Sequence, residues 1–225
     1  MSESRVTTPQ PGTVSAEQLA SARAPLAEPV IADPAPLGLA GFAMTTMVLS
    51  TFNAGILPGT LEPTVLGLAL FYGGIAQLLA GMWEFRKGNT FGALAFSSYA
   101  AFWLSYWFYA TFVVARLPLG QIHQASGLFL LGWTIFTAYL TVASLRVSGA
   151  VAAVLVLLTL TFLFLTLGAF SSVIPSASAM TRVGGWLGLA TALAAWYASF
   201  AGVTNATFKR TVVPTWPLAT TGGRA

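Results

Sequence analysis

The sequence lacks cysteine altogether, contains one histidine and has very few charged residues. Without cysteine the chain can form no disulfide, no thiolate nucleophile and no cysteine-based metal site. Only 7% of the 225 residues are charged, whereas a soluble domain carries about 25%. So few charges could not cover the surface of a water-soluble protein of this size. The composition is equally unsuited to intrinsic disorder and to nucleic-acid binding.

Apolar residues make up 56% of the chain. From Leu37 onward they form long runs separated by short polar segments. A helix needs about 20 apolar residues to cross the hydrocarbon core of a bilayer. We therefore predict an all-α, polytopic membrane protein with six transmembrane helices, although the break after Arg146 is very short. The predicted spans are 37–57, 65–85, 90–115, 126–146, 148–171 and 184–207.

The two ends of the chain differ from this apolar part. Residues 1–32 are rich in Ser, Thr, Pro and Ala and contain no apolar run, which predicts a disordered tail. We assign 33–214 to the six-helix domain and 215–225 to a C-terminal tail. Eight Lys and Arg residues lie on the side of both termini, and only Arg116 and Arg182 lie on the other. The positive-inside rule then predicts that both termini are cytoplasmic.

The chain offers almost no candidates for catalysis. It contains no cluster of His, Asp and Glu for a metal, no glycine-rich phosphate loop and no Ser-His-Asp arrangement. We expect no enzymatic activity, no cofactor and no metal. Glu84 falls at the cytoplasmic end of the second span, beside Arg86 and Lys87, where a hydrated or salt-bridged position costs little. We expect no carboxylate relay in mid-membrane of the kind that marks proton pumps.

Uncharged polar and aromatic residues recur at helical spacing within the spans. On the first span, four of them lie within about 80° of arc. Such faces can line a narrow path, although a single Ser or Thr in a membrane helix more often bonds its own helix or a neighbour. Gly184 and Gly188 predict close helix packing, within or between subunits. The polar stripes are Phe42, Thr46, Ser50 and Asn53; Gln77 and Glu84; Ser98, Phe102, Ser105 and Tyr109, with Tyr99 and Tyr106 beside them; Thr159 and Thr166; and Thr191, Ala198 and Asn205.

The segment that opens the first span has two interpretations. Asp33 can accept hydrogen bonds from free backbone N–H groups, and Pro34 and Pro36 in the first turn cost no hydrogen bond. The segment is therefore either a helix cap or a structured entrance beside a pore. Composition alone does not separate the two.

Residues 33–46, DPAPLGLAGFAMTT, resemble the NPAPLGLxGFGMTT signature of the acetate uptake transporters, the family of the bacterial succinate–acetate permease. Asp33 stands where the family has Asn, and Ala43 where it has Gly. A carboxylate at the mouth of a path would repel anions. The resemblance continues at 71–77, 81–92, 95–99, 102–104, 185–188 and 208–214.

The resemblance implies a homohexamer in the plasma membrane, which in a bacterium is the inner membrane. Each six-helix protomer would have its own path for acetate and related small carboxylates, including succinate, and nucleic acid would not be a partner. A constriction is expected from Phe42, Tyr99 and Leu158. Residues expected to line the path are Thr45, Thr46, Gln77, Ser98 and Asn205, and the entrance motif comprises Asp33, Pro34, Pro36 and Gly38.

The mechanism stays open at the level of the sequence. Because conduction needs weak, multiple sites, the absence of Lys and Arg from the spans suits rapid passage of an anion held by hydroxyl, phenol and amide groups. Movement can be channel-like or proton-linked. Two alternatives are a channel for ammonia or a neutral amide such as urea, and a membrane scaffold without transport activity.

Overall fold

The computed structural model describes residues 31–171 and 178–218. Nearly all of the predicted tail at 1–32 lies outside these residues, as do 172–177 in the predicted break around Pro175 and 219–225 at the C-terminus. The described residues from Asp33 onward belong to one compact unit.

Within 31–171 and 178–218, six long helices follow one another along the chain, which confirms the predicted all-α fold with six helices. Five are long and apolar enough to cross a membrane; the remaining one, α3, is rich in Ser, Tyr and Trp. A π-helical turn, Phe71–Ala76, interrupts α2 without breaking it, and a second, Tyr109–Val113, extends α3. The helices are α1 (Ala35–Asn53), α2 (Val65–Leu70 continuing through the π turn into Gln77–Lys87), α3 (Thr90–Phe108), α4 (Ile122–Ser144), α5 (Gly149–Ser171) and α6 (Ala179–Phe208).

Local sequence sets the helix ends. Gly88 at φ +77° closes α2, and the side chain of Asn89 caps α3 by accepting from Gly92 N–H. The helix α1 ends at Asn53, four residues before the predicted limit, because the chain turns at Gly55 with φ +75°. The ambiguous break after Arg146 is a true hairpin between α4 and α5.

Small residues bring α6 close to its neighbours. A Cβ added to Gly184 would lie 2.9 Å from the side chain of Leu165 on α5. Gly185 and Gly188 approach Ala54 and Ser50, at the end of α1 and within it. The glycine pattern therefore serves helix packing, as predicted, and here it does so within one protomer.

Threonine pairs join adjacent helices. Thr134 on α4 lies 3.0 Å from Thr166 on α5, oxygen to oxygen. Thr161 on α5 lies 3.3 Å from Thr191 on α6, and Thr159 lies 2.8 Å from Thr141 in the same manner. Thr159 and Thr166 of the stripe predicted on α5, and Thr191 of the stripe predicted on α6, are used in this way, as links between helices.

The chain after α6 folds back over the start of α5. We call residues 209–218 the C-terminal strap. Gly149 N–H donates to the carbonyl of Trp216 at 2.7 Å, and the ring of Trp216 stacks on Tyr197 of α6 with centroids 5.8 Å apart. The described part of the predicted C-terminal tail, 215–218, is thus in direct contact with the helical domain.

Candidate transport path

Two cavities lie toward opposite ends of the helix bundle. The wide cavity has a volume of about 370 Å³ and is bounded mainly by α1, α3, α4 and α5. The narrow cavity has a volume of about 90 Å³ and lies among the beginnings of α1, α3 and α5 and the end of α2. The narrow cavity lies at the end that carries Arg86, Lys87 and Arg146, whereas Arg116 and Arg182 lie at the other end.

Phe42 and Leu158 line both cavities and so form the wall between them. Tyr99 joins them on the side of the narrow cavity. All three side chains are buried, with exposed fractions of 4%, 3% and 3%. The structure therefore brings together the three residues expected to form a constriction. The Tyr99 hydroxyl donates to Thr137 Oγ1 at 3.1 Å, which fixes the tilt of the ring.

The wide cavity presents hydrogen-bond donors. The whole stripe predicted on α1 lines it: Phe42, Thr46, Ser50 and Asn53. Three buried polar atoms of lining residues have no partner among the described residues: Thr46 Oγ1 of this stripe, Trp103 Nε1 and Thr181 Oγ1. An indole N–H can only donate, and a hydroxyl can donate by rotation. These groups suit a ligand that accepts hydrogen bonds.

The carboxylate of Glu62, at the wide cavity, already has a hydrogen-bond partner. Glu62, in the turn before α2, accepts a hydrogen bond from the hydroxyl of Tyr106 on α3, and both residues line the cavity. Sequence reasoning missed this pair, because the two residues are 44 positions apart and nothing in the local pattern links a turn glutamate to a mid-helix tyrosine.

The narrow cavity presents acceptors. Gln77 and Glu84 lie seven positions apart on α2 and both line it. Gln77 Oε1 and Glu84 Oε1 are buried without a partner in the structure, while Glu84 Oε2 accepts from Asn89 Nδ2 at 2.8 Å. The expectation of a hydrated or salt-bridged Glu84 was wrong, since its exposed fraction is 0% and the group bonded to its Oε2 is an amide.

Three residues expected along the path line neither cavity. The hydroxyl of Thr45 donates to the Gly41 carbonyl at 2.8 Å, and Ser98 is half-buried on α3. Asn205 holds the C-terminal strap: its Oδ1 accepts from Val212 and Val213 N–H at 2.7 and 2.9 Å. The polar groups of Thr45 and Asn205 bond backbone atoms, and Ser98 lines neither cavity. Helical spacing alone does not reveal these outcomes.

The entrance motif both caps α1 and borders the narrow cavity. Asp33 Oδ1 accepts from Ala35 N–H at 3.1 Å and from Lys87 Nζ at 2.8 Å, and Ala35 lines the cavity. The carboxylate expected to repel anions is thus paired with a cation. Pro34 is buried, the carbonyl of Pro36 accepts from Ser199 Oγ at 2.7 Å, and Gly38 leaves room for the ring of Phe96.

Neither cavity is built for a strongly held ion. Among the described residues that line them there is no lysine or arginine. Within 31–171 and 178–218, no group of three His, Cys, Asp or Glu side chains could hold a metal.

Comparison with known proteins agrees with this geometry. The GPR1/FUN34/yaaH family matches residues 16–220. The chain belongs to this family. It is a multi-pass membrane protein, as its apolar helices and the membrane-channel fold of the solved relative below indicate.

Several similar proteins are named as transporters or channels. The chain is 38% identical over 186 residues to the succinate-acetate/proton symporter SatP of Escherichia coli. The aligned region covers 82% of this chain and 95% of that protein. The chain is 42% identical over 178 residues to the ammonia transport outward protein 2 of Saccharomyces cerevisiae, covering 76% of this chain and 61% of that longer protein. The structure of the bacterial acetate channel SatP superposes with a TM-score of 0.74 at 37% identity, covering 83% of this chain and 99% of that one.

Proposed function

We propose that this protein carries acetate and related small carboxylates, succinate among them, across a membrane. The path runs from the wide cavity past Phe42, Tyr99 and Leu158 into the narrow cavity. The observation that carries the proposal is the shared wall: Phe42 and Leu158 line both cavities. The naming of family members as an acetate channel and a succinate-acetate symporter supports the choice of substrate.

The polar groups beside this wall fit a small monocarboxylate. Removing water from a carboxylate costs several kcal/mol unless donors replace it. Thr46 and Trp103 offer donors without a fixed charge at the wide cavity. Weak and multiple contacts allow release. The apolar wall is then crossed briefly by an acetate that has lost part of its water, and displacement of the Phe42 ring opens it.

We propose the same assembly and location that the sequence suggests. Six protomers form a homohexamer in a plasma membrane, the inner membrane in a bacterium, and both termini face the cytoplasm. The grouping of Arg86, Lys87 and Arg146 at the end of the narrow cavity supports this orientation. The narrow cavity then opens toward the cytoplasm.

Uptake of labelled acetate into proteoliposomes tests the proposal. We expect protein-dependent uptake that unlabelled acetate and propionate compete away and that urea does not. Leu158→Trp fills the wall between the cavities and should abolish uptake, whereas Leu193→Trp, at an exposed position of α6, should preserve it. Uptake equal to that of protein-free liposomes, or unchanged by Leu158→Trp, contradicts the proposal.

Ammonia is the second candidate substrate. It is favoured by the relative named as an ammonia transporter and by the unpartnered acceptors Gln77 Oε1 and Glu84 Oε1 at the narrow cavity. The same vesicles, loaded with a pH-sensitive dye and mixed with ammonium chloride, decide between them. Protein-dependent alkalinisation without acetate uptake would replace acetate by ammonia.

A further inference from the structure

Glu84 is a buried carboxyl group that the proposed path does not yet use. Its exposed fraction is 0% and it lines the narrow cavity. One oxygen accepts from Asn89 Nδ2 at 2.8 Å, and the other, Oε1, has no partner in the structure. A buried carboxyl oxygen without a partner is costly, so a hydrogen-bond partner brought by a molecule in the adjoining cavity would stabilise it.

The fold holds this carboxyl group firmly. A Cβ added to Gly92 on α3 would lie 2.8 Å from Glu84 Cδ and 2.6 Å from Asn89 Nδ2. Asn89 is itself fixed, because its Oδ1 accepts from Gly92 N–H at 3.2 Å. The close approach of Gly92 and the double use of Asn89 keep Glu84 beside the cavity.

The charges near Glu84 largely cancel each other. Lys87, one turn further along α2, is paired with Asp33 at the start of α1 at 2.8 Å. The α3 side contributes the uncharged Asn89 and Gly92, and α5 contributes Val151 and Val154. An ionised Glu84 and an anionic substrate would therefore repel each other in a small apolar space.

We propose that Glu84 is the proton-exchanging residue of the transport path, and this rests on the proposed function. A substrate carboxylate enters the narrow cavity when Glu84 is protonated. The O–H at Oε1 then donates to a substrate oxygen, and the two carboxyl groups share one proton, as paired carboxyls do at close range. If the substrate leaves the narrow cavity as the acid, it takes the Glu84 proton with it, and Glu84 regains a proton from water at the same end of the bundle. The proton count then balances.

The two cavities thus differ in chemistry. The wide cavity offers donors and receives the anion directly, whereas the narrow cavity offers Glu84 and the amide of Gln77. A carboxylate that crosses the wall needs one proton on the Glu84 side to be accommodated. Protonation of Glu84 therefore controls the rate of passage without a relay of carboxylates through the bilayer.

Equilibrium exchange of labelled acetate in proteoliposomes, at equal pH and equal acetate on both sides, tests this role. After subtraction of protein-free vesicles, wild-type exchange should fall with rising pH, approaching tenfold per unit once Glu84 ionises. Glu84→Gln keeps a hydrogen-bond donor that cannot ionise. The exchange rate of this variant should change less than about twofold over the same pH range. Glu62→Gln, the matched carboxyl at the wide cavity, should keep the wild-type slope.

A second variant keeps the test decisive if Glu84→Gln fails to fold. Asn89→Ser retains a helix cap but removes the N–H that supports the ionised carboxylate. It should move the midpoint of the exchange profile to higher pH. A wild-type slope in folded Glu84→Gln, or an unmoved midpoint in Asn89→Ser, overturns the role of Glu84 alone. Absence of protein-dependent exchange in the wild type at every pH overturns the proposed function as well.

Discussion

The rings of Phe42 and Tyr99 lie with their centroids 5.6 Å apart and their planes tilted by 52°, at the point where the two cavities approach each other. Phe42 comes from α1 and Tyr99 from α3, and Leu158 of α5 completes the wall. Because Tyr99 is held by its bond to Thr137, the Phe42 ring is the member of the pair that is freer to move.

Phe42→Leu should relax selectivity for size. A smaller side chain widens the wall, so the ratio of butyrate to acetate uptake should rise severalfold. The ratio is measured with both labelled acids in the same proteoliposomes. Phe52→Leu is the matched control, because Phe52 is also buried on α1 but lines neither cavity. An equal rise in both variants would mean that Phe42 does not set the width.

Asp33→Asn should free the charge of Lys87 at the end of the narrow cavity. The exposed ion pair contributes at most about 1 kcal/mol to stability, so the melting temperature should hardly change. Acetate entering from that side should be taken up faster at low ionic strength, and the difference should vanish at high salt. Lys87→Gln should have the opposite effect. A gain that is independent of salt would exclude an electrostatic cause.

Asn205→Ala should reduce stability without reducing transport. It removes two backbone N–H bonds to Oδ1 and one bond from Nδ2 to the Val213 carbonyl at 2.8 Å, which costs about 1–3 kcal/mol. Thermal unfolding in detergent should show the loss, while uptake per folded protein stays at the wild-type level. Loss of uptake at unchanged stability would instead mean that Asn205 takes part in transport.

Gly92→Ala should distort the narrow cavity. The added methyl group meets Glu84 and Asn89, and such overpacking costs about 1–3 kcal/mol. We expect lower stability, measured by thermal unfolding, and acetate exchange that is both slower and altered in its pH profile. Gly132→Ala on α4 is the control, because its Cβ would meet nothing within 4 Å in the protomer and should be neutral or slightly stabilising. Matching losses in the two variants would show a general effect of helix glycines.

Much of the architecture follows from the sequence alone. The six apolar runs correspond to the six helices, since each run has the length that a bilayer requires. Turn residues such as Gly88 and Asn89 mark helix ends because their local conformations and side-chain bonds do not depend on distant contacts. The α1 stripe of Phe42, Thr46 and Ser50 was correctly predicted as a common face. The grouping of Phe42, Tyr99 and Leu158 followed from the family resemblance.

Only the tertiary structure decides what each face meets. Helical spacing places Thr159, Thr166 and Asn205 on regular stripes, yet neighbouring helices and the C-terminal strap use their polar groups. Spacing also pairs Gln77 with Glu84, but the burial of Glu84 arises from the approach of α3 at Gly92. The physical reason is that periodicity fixes which side chains share a face, whereas the packing of other helices determines whether that face borders a cavity, a neighbour or lipid.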